Sequence, residues 1–325
     1  MLPRSASSPR YRMAVSASRS DQSALPPLDR LQPAVLTWYA ARARALPFRG
    51  TTDPYAILVS ETMAQQTQAA RAGEAWTRFM DRFPTVQTLA GAPIAGVLRE
   101  WQGLGYNRRA LNLWRAAGRI VSEFDGRVPS DLVALESLPG VGPYTARAVA
   151  AIAFGSPVGA VDTNVRRVLG RMLVGEVGIL TPAELQRRAD SLVPVTQPGR
   201  WTHALMDLGA AVCKPRRPDC ASCPVASWCA YVTPTPGHAP IARRTAAARP
   251  AKPPFHTTSR WLRGRIIDRL REAPDRGWVA LDPPFGGHNE NALATAVWAL
   301  ARDGLLEVEE GAPRGQSIRA RLPIG

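Results

Sequence analysis

The sequence predicts a mainly α-helical protein that ends in a small α+β domain of the winged-helix type. From about residue 30 to residue 230, apolar residues recur at helical spacing, with proline and glycine where the helices end. No clear alternation of apolar and polar residues, the pattern of a strand, interrupts this region. Beyond residue 256 the pattern changes to two amphipathic helices and an alternating stretch around a Gly/Pro turn.

Composition and charge favour nucleic acid as the partner. The 325 residues carry a formal net charge of +15, almost all of it from arginine, because Lys214 and Lys252 are the only lysines. A basic surface of this kind attracts a polyanion. No run of about 18 apolar residues occurs, so we expect no membrane partner. Residues 1–27 lack the apolar core of a signal peptide, which predicts a disordered tail on a cytoplasmic, nucleoid-associated protein.

Glu61 is the first residue whose position suggests chemistry. In the segment AILVSETMAQQTQ (56–68) it follows Ile57 and Leu58 by four and three residues, and therefore lies near their face of a helix. A solvent-exposed glutamate is the commoner case, but a buried one would have a raised pKa and could act as a general acid. The glutamines that follow can donate and accept hydrogen bonds, as base edges in an opened duplex require: Gln65, Gln66 and Gln68.

A helix-hairpin-helix motif is predicted in LPGVGPYTARAVAAIAFG (138–155). A short helix ends at Gly140-Val141-Gly142, and a second helix begins at Pro143. A turn of this type before a helix N-terminus directs backbone N–H groups outward, which suits a phosphate oxygen. Because no strand precedes the motif, it is not a dinucleotide-binding fold, and we expect no nucleotide cofactor. In a basic helical chain it predicts a sequence-independent contact with the DNA backbone.

Asp162 is the second candidate carboxylate. The segment GAVDTNVRRVLGRM (159–172) places it directly before a helix whose apolar face contains Val165, Val168 and Leu169. Most aspartates in this position only cap the helix. A carboxylate that accepts backbone N–H groups also stays ionised, as an anion beside a developing sugar cation must. Both interpretations remain open at this point.

All four cysteines of the chain lie within the 17 residues CKPRRPDCASCPVASWC: Cys213, Cys220, Cys223 and Cys229. Two disulfides would close very tight loops in an intracellular protein, so ligation of a metal centre is favoured. Zinc and an iron–sulfur cubane both fit the spacing. The metal would stiffen a basic loop that contains Lys214, Arg216 and Arg217, and such a loop could bind phosphate. A purely structural staple is the plainer alternative.

The last quarter of the chain forms a separate unit in this prediction. Residues 233–256 are rich in proline, alanine and arginine, as in a linker. Apolar residues at helical spacing mark helices around 262–270 and 293–300, and LLEVEEGAPRGQSIRARL (305–322) predicts a hairpin. We therefore expect a winged-helix-like domain over 257–325, with a two-stranded wing.

Taken together, the motifs resemble those of MutY-type adenine DNA glycosylases, members of the endonuclease III superfamily of helix-hairpin-helix repair enzymes. The likeness covers about residues 30–230. It rests on the order and spacing of SETMAQQTQ, GLGYNRRALNL, LPGVGPYTA, VDTNVRRV and the cysteine cluster. It implies that the four cysteines hold one 4Fe–4S cluster. It also implies a glycosylase core over 28–232, divided into a six-helix barrel domain (about 54–163) and an iron–sulfur domain (about 28–53 and 164–232).

The resemblance assigns catalytic roles to individual residues. Glu61 resembles the family's catalytic acid, which protonates N7 of a flipped-out adenine. Asp162 resembles the carboxylate that stabilises the oxocarbenium-like sugar, a division of labour known from other glycoside hydrolysis. Tyr144 matches a tyrosine beside the site, and Asn164 matches an asparagine that orients the carboxylate.

The resemblance also assigns DNA contacts. Tyr106 matches a tyrosine that wedges into the base stack next to the opposing base, and Gln66 falls near the widowed pair. The full set of expected contacts comprises Gln65, Gln66, Tyr106, Gly140, Val141 and Gly142.

Three departures from the MutY-type pattern, and one difference from endonuclease III, bear on the function. Ala64 stands where the family has leucine or a similar residue, and Asn107 replaces the second tyrosine of Gly-Tyr-Tyr. Endonuclease III has its lysine nucleophile where this chain has Tyr144, which predicts a monofunctional glycosylase. The Nudix-like C-terminal domain of longer members is not evident, and PPFGGH offers only Phe285 and His288 in place of its Phe-Ser-His loop.

The resemblance therefore implies a monomeric enzyme that hydrolyses the N-glycosidic bond of adenine mispaired with 8-oxoguanine or guanine in double-stranded DNA. Two alternatives remain. One is a mismatch glycosylase of the same superfamily that removes thymine or uracil opposite guanine. The other is a non-catalytic DNA-binding protein, which would have no need of the two carboxylates.

Overall fold

The computed structural model describes residues 25–176, 179–233, 253–274, 276–309 and 317–324. Most of the predicted tail and most of the predicted linker lie outside these residues. The described helices, in chain order, are α1 (Leu28–Arg42), α2 (Pro54–Ala64), α3 (Ala69–Arg82), α4 (Val86–Ala90), α5 (Ile94–Glu100), α6 (Arg108–Glu123), α7 (Leu132–Ser137), α8 (Pro143–Ala153), α9 (Thr163–Val174), α10 (Pro182–Ser191), α11 (Pro198–Ala211), α12 (Ser259–Arg271) and α13 (Glu290–Arg302). The described strands are β1 (Val279–Leu281), β2 (Glu307–Val308) and β3 (Ile318–Arg321).

Helix α2 begins at Pro54 and is capped by Asp53. The carboxylate of Asp53 accepts the backbone N–H groups of Tyr55 (3.1 Å) and Ala56 (3.3 Å), and Pro54 occupies the first helical position. From Tyr55 to Met63 every residue of the helix is buried. The helix is therefore surrounded by protein on all sides, and it carries Glu61 into the interior.

The buried apolar residues form two separate cores. One is formed by α2 to α8 together with α12, α13 and the sheet, and the other by α1, α9, α10, α11 and the residues around Cys229. The boundary between a barrel domain and an iron–sulfur domain near residue 163 stays a prediction. Helices α8 and α9 both pack on α11, so the elements that carry the candidate residues meet where the cores adjoin.

The C-terminal residues form three strands where a two-stranded wing was predicted. Strand β3 pairs antiparallel with both β2 and β1, in the order β1-β3-β2. The three residues of β1 are too few for a readable alternation, so the prediction omitted this strand. Phe285 and His288 lie inside this domain, where the His288 ring stacks on Trp261 at 5.8 Å.

The C-terminal domain is packed firmly against the barrel. Arg271 donates to the carbonyl oxygen of Leu98 (2.8 Å) and to the side-chain oxygen of Asn107 (2.8 Å). Arg99 donates in the opposite direction, to the carbonyl oxygen of Ala273 (3.1 Å). Asn107, one of the departures from the family pattern, is thus a contact between the two domains.

The membrane expectation can be compared with the helices themselves. Within the described parts of the chain, no helix has the length and apolar composition needed to cross a membrane.

Candidate active site

Glu61 is buried in a hydrogen-bonded pair with Tyr144. Only 7% of Glu61 is exposed, and the Tyr144 hydroxyl donates to Glu61 Oε2 at 2.7 Å. Burial raises the pKa of Glu61 because it penalises the charged form, and the nearby Asp162 raises it further. The Tyr144 hydrogen bond and the charge of Arg49 oppose this effect. The interpretation of Glu61 as a solvent-exposed residue is therefore wrong. Its burial and raised pKa are those expected of a proton donor.

Asp162 caps helix α9 and is also oriented by Asn164. Its Oδ1 accepts the backbone N–H of Val165 at 2.7 Å, and its Oδ2 accepts Asn164 Nδ2 at 3.0 Å. The capping interpretation is thus correct for one oxygen, while the other is held by a side chain. Because Asp162 acts on the pKa of Glu61, the two carboxylates share one site. The sequence-predicted residues Glu61, Tyr144, Asp162 and Asn164 are brought together.

Arg49 belongs to the same site and was not identified from the sequence. It donates to the fully buried Asp207 of α11 at 2.8 Å, and Arg44 contacts the same carboxylate. Two further nitrogens of Arg49, Nε and Nη1, are buried without a hydrogen-bond partner in the described structure. Burial is the largest effect on His203, and with the charges of Arg49 and Arg44 it lowers the pKa of His203 to about 3. The imidazole is therefore neutral at neutral pH. Arg49 therefore brings a positive charge and unused donors to the site.

Arg167 connects Asn164 to the cysteine segment. Its guanidinium donates to Asn164 Oδ1 (2.8 Å), to the carbonyl oxygen of Gly209 (2.6 Å) and to the carbonyl oxygen of Cys213 (2.6 Å). A continuous hydrogen-bonded path thus leads from Asp162 through Asn164 and Arg167 to the first cysteine. The close approach of α11 to α9 is possible because residue 209 is glycine: a Cβ there would lie 2.7 Å from the Asn164 Cβ.

The four cysteines line a single cavity in the second core. Arg171 donates to Cys213 Sγ (3.4 Å) and to the carbonyl oxygens of Lys214 and Pro215, which fixes the start of the basic loop. Burial, with a smaller effect of the three other sulfurs, raises the pKa of the Cys223 thiol to about 11. In the described residues, no group of three or more His, Cys, Asp or Glu side chains is arranged around a single metal ion.

Arg109 fixes the two loops that carry the predicted DNA contacts Gln66 and Tyr106. It donates to the carbonyl oxygen of Gln65 (2.6 Å) at the end of α2 and to that of Leu104 (3.0 Å) before Tyr106. Burial lowers the pKa of Arg109 to about 10, which leaves it cationic at neutral pH. Gln66 and Tyr106 adopt left-handed backbone angles (φ 54° and 45°), a conformation that non-glycine residues rarely adopt and that a rigid anchor can maintain.

The helix-hairpin-helix turn lies between α7 and α8. Gly140 has a φ of +80°, and a Cβ there would lie 2.7 Å from the Asn112 Cβ, so the position requires glycine. Gly140 and Gly142 are exposed, and in the described structure their amides have no internal acceptor. Val141 differs from the prediction: its side chain is buried and its N–H donates to the Leu138 carbonyl oxygen at 3.1 Å. Gly140 and Gly142 therefore have exposed amides that are free to bind a ligand, and a DNA contact at these three residues stays a prediction.

Comparison with known proteins agrees with this geometry. Residues 59–194 match the model of the HhH-GPD superfamily base excision DNA repair protein. Over 284 residues the chain is 42% identical to an adenine DNA glycosylase of Mycobacterium tuberculosis strain H37Rv, covering 83% of this chain and 90% of that protein. Over 209 residues it is 42% identical to the adenine DNA glycosylase of Homo sapiens, covering 60% of this chain and 38% of that protein.

Solved structures show the same fold. A thermostable thymine-DNA glycosylase superposes with a TM-score of 0.59 at 30% identity, covering 63% of this chain and 97% of that chain. Endonuclease III in a non-covalent DNA complex superposes with a TM-score of 0.55 at 23% identity, covering 64% of this chain and 98% of that chain. The predicted helix-hairpin-helix glycosylase fold is confirmed.

The chain is thus a member of the HhH-GPD superfamily of base excision DNA repair proteins. Within that class it belongs to the adenine DNA glycosylase family.

Proposed function

We propose that this chain hydrolyses the N-glycosidic bond of adenine mispaired with 8-oxoguanine or guanine in duplex DNA, as a monofunctional, nucleoid-associated monomer. Membership of the adenine DNA glycosylase family supports the activity. The observation that carries the proposal is the buried carboxyl of Glu61, which accepts the Tyr144 hydroxyl and whose pKa is raised by burial, next to a second, hydrogen-bonded carboxylate, Asp162.

The reaction follows from the two carboxyl environments. Glu61 gives its proton to N7 of the flipped adenine, so that the base leaves with the electrons of the bond between N9 and C1′. Asp162, held by Asn164 and the Val165 amide, stabilises the positive charge that develops on the sugar. Water then adds its hydroxide to C1′ and releases a proton, which leaves an abasic site.

The chain lacks a suitable amine for the second activity known in this superfamily. A lyase step needs a nucleophile that forms a Schiff base with C1′. Tyr144 occupies the hairpin-helix position expected for that lysine, and both lysines of the chain, Lys214 and Lys252, lie elsewhere in the sequence. We therefore expect base release without strand cleavage.

The unused donors of Arg49 fit a role in base recognition. Nε and Nη1 are buried near Glu61 and have no partner in the described residues. An adenine ring nitrogen in the site would accept a hydrogen bond from one of them, and pairing with Asp207 fixes the guanidinium in place. Thymine and uracil present different acceptors and lack N7, so the acid and Arg49 together favour adenine.

The DNA contacts proposed for this function lie on three loops. Gln65 and Gln66 follow α2, Tyr106 precedes α6, and the exposed amides of Gly140 and Gly142 face a phosphate from the hairpin. Endonuclease III, which shares the fold, has been solved with DNA. Double-stranded DNA is accordingly the substrate that we propose for this surface.

We propose that Cys213, Cys220, Cys223 and Cys229 hold one 4Fe–4S cluster. The donor set fits, because four thiols line the cavity. Its lining contains one carboxylate, that of Asp219. A bound cluster would supply a rigid centre that joins the four cysteines and so fixes the basic loop. Its test is the iron and acid-labile sulfide content of the purified protein, with Cys223→Ser as the variant. A stoichiometric zinc content without iron would contradict the proposal.

The general acid is tested by Glu61→Gln, with Glu74→Gln as the matched control because Glu74 is exposed on α3. Loss of a general acid slows a reaction by roughly 10²- to 10⁴-fold. We expect single-turnover adenine release to fall by this amount in Glu61→Gln, with the dissociation constant for the mispaired duplex unchanged. Glu74→Gln should match the wild type. Undiminished adenine release by Glu61→Gln would contradict the proposal that Glu61 is the general acid.

A further inference from the structure

Tyr106 is held by the C-terminal domain as well as by the barrel. Arg260, at the start of α12, donates to the Tyr106 hydroxyl at 2.6 Å, and its guanidinium lies 4.5 Å from the ring centre. Arg109 approaches the same ring from the barrel at 5.8 Å. The ring is nevertheless 40% exposed. Tyr106 is therefore accessible to solvent, and two cations from different domains fix its orientation.

Arg260 differs from the other arginines of its helix in what it contacts. Among the described residues, each of the other four pairs with a carboxylate, and Arg260 pairs with none: Arg263 with Asp303, Arg265 and Arg271 with Asp268, and Arg269 with Glu272. Arg260 lies instead between two aromatic rings, Tyr106 and Phe255, at 4.5 and 5.3 Å. No carboxylate of the described residues therefore neutralises the charge of Arg260, and Phe255 is 58% exposed beside it.

The contact is not a loose approach of two domains. Arg271, on the same helix as Arg260, bonds to Asn107 next to Tyr106, and α12 shares its apolar core with the barrel. Arg108, also next to Asn107, lies 3.7 Å from Asp303 at the end of α13. Each of these contacts fixes the domain at the segment that carries Tyr106.

From these contacts we infer that Tyr106, Arg260 and Phe255 form one DNA-binding surface across both domains. In it, Arg260 is a positioning residue for Tyr106 and binds a backbone phosphate, while the two exposed rings face the bases. An exposed cation flanked by aromatic rings is a general solution for binding unstacked nucleic acid. The inference rests on the proposed function, because it takes duplex DNA as the substrate.

The test compares Arg260→Met with Arg269→Met, a matched loss of charge from an exposed position of the same helix. Affinity for a duplex with a stable abasic-site analogue opposite guanine is measured at several salt concentrations. We expect Arg260→Met to weaken binding at least five-fold and to reduce the slope of log K against log salt by about 0.9, the value of one phosphate contact. Arg269→Met should remain within two-fold, with an unchanged slope. Equal behaviour of the two variants would overturn the inference.

The positioning role is tested by a double-mutant cycle with Tyr106→Phe, which removes only the hydroxyl that accepts the hydrogen bond. If Arg260 acts through Tyr106, the two losses of affinity are not additive, whereas strict additivity contradicts the positioning role. Arg260→Lys keeps the charge but not the planar group, so it should restore the salt slope and only part of the affinity. If Arg260→Met fails to fold, Arg260→Lys takes its place in the test. An affinity and a salt slope of Arg260→Lys that both equal those of the wild type would then overturn the inference.

The result of this binding test can be distinguished from the result of the activity test of the proposed function, since binding to the abasic analogue requires no chemistry. Adenine release by the wild type, with Arg260→Met and Arg269→Met indistinguishable, would overturn this inference alone. A wild type that binds DNA through Arg260 but releases no adenine would overturn only the proposed function.

Discussion

The hydroxyl of Tyr144 donates a 2.7 Å hydrogen bond to Oε2 of Glu61. This bond stabilises the ionised glutamate and therefore lowers its pKa, whereas burial raises the pKa by a larger amount. The acidity of Glu61 is set by the difference between these two effects, with smaller contributions from Arg49 and Asp162. Tyr144 itself stays protonated, because burial and the neighbouring carboxylates raise its pKa.

Removal of the Tyr144 hydroxyl should shift the pH dependence of catalysis upward. In Tyr144→Phe the carboxylate loses a donor, so the pKa of Glu61 rises and the acid stays protonated to a higher pH. The alkaline limb of single-turnover adenine release should move to higher pH than in the wild type. The matched control is Tyr55→Phe, since Tyr55 donates to a remote carbonyl oxygen, that of Phe83. A shift to lower pH would contradict the proposed balance.

Glu61 should lower the stability of the fold at neutral pH. Its pKa is raised in the folded state, so its contribution to stability is greatest below the pKa of the unfolded chain and is lost as pH rises through the folded value. Glu61→Gln does not titrate. The Tm of Glu61→Gln minus that of the wild type should therefore increase from acid to neutral pH. Glu74→Gln should show no such trend, and a constant difference for Glu61→Gln would contradict the raised pKa.

Arg167 should be needed for both stability and activity. Arg167→Met leaves the side-chain oxygen of Asn164 and the carbonyl oxygens of Gly209 and Cys213 without their donor. Unpaired buried acceptors cost about 1–3 kcal/mol each. We expect a lower Tm, and slower adenine release because Asn164 no longer orients Asp162. Arg166→Met removes the same charge from the adjacent position and serves as control. Equal Tm and activity of the two variants would show that the path through Arg167 has no role.

Gly209 offers a steric test of the same path. A Cβ at residue 209 would meet the Cβ of Asn164 at 2.7 Å and its backbone at 3.1 Å, so Gly209→Ala must displace α9. Overpacking of this kind costs about 1–3 kcal/mol in the free energy of unfolding. Gly118→Ala, in α6 with no atom within 4 Å of the added carbon, should be neutral or stabilising. A Gly209→Ala protein with unchanged stability and adenine release would refute the close-packing argument.

The sequence contained enough information for the parts of the site that depend on local chemistry. Asp162 directly precedes a helix, and the Gly140–Gly142 turn joins two amphipathic segments, so both follow from short-range pattern. Whether Glu61 was buried could not be decided, because α2 is enclosed by helices that are distant in sequence. The link between Arg49 and Asp207 spans 158 residues, and no local pattern connects them. Val141 was assigned to DNA because its side-chain direction cannot be read from a Gly-x-Gly turn.

The C-terminal domain shows the same limit. Helices α12 and α13 followed from apolar spacing, but the pairing of Arg260 with Tyr106 joins positions 154 residues apart. The contact between Arg260 and Tyr106 therefore depends on how the C-terminal helices pack against the barrel, which no local pattern of the sequence predicts.

The most direct test of the central claim is base release from duplexes that differ at one pair: adenine opposite 8-oxoguanine, adenine opposite guanine, and thymine or uracil opposite guanine. Each reaction is read with and without alkali. We predict release of adenine from the first two duplexes, with strand breaks only after alkali. Release of thymine or uracil in place of adenine would contradict the assigned specificity. Strand cleavage without alkali would contradict the monofunctional mechanism, and release from none of the duplexes would leave a DNA-binding protein without this activity.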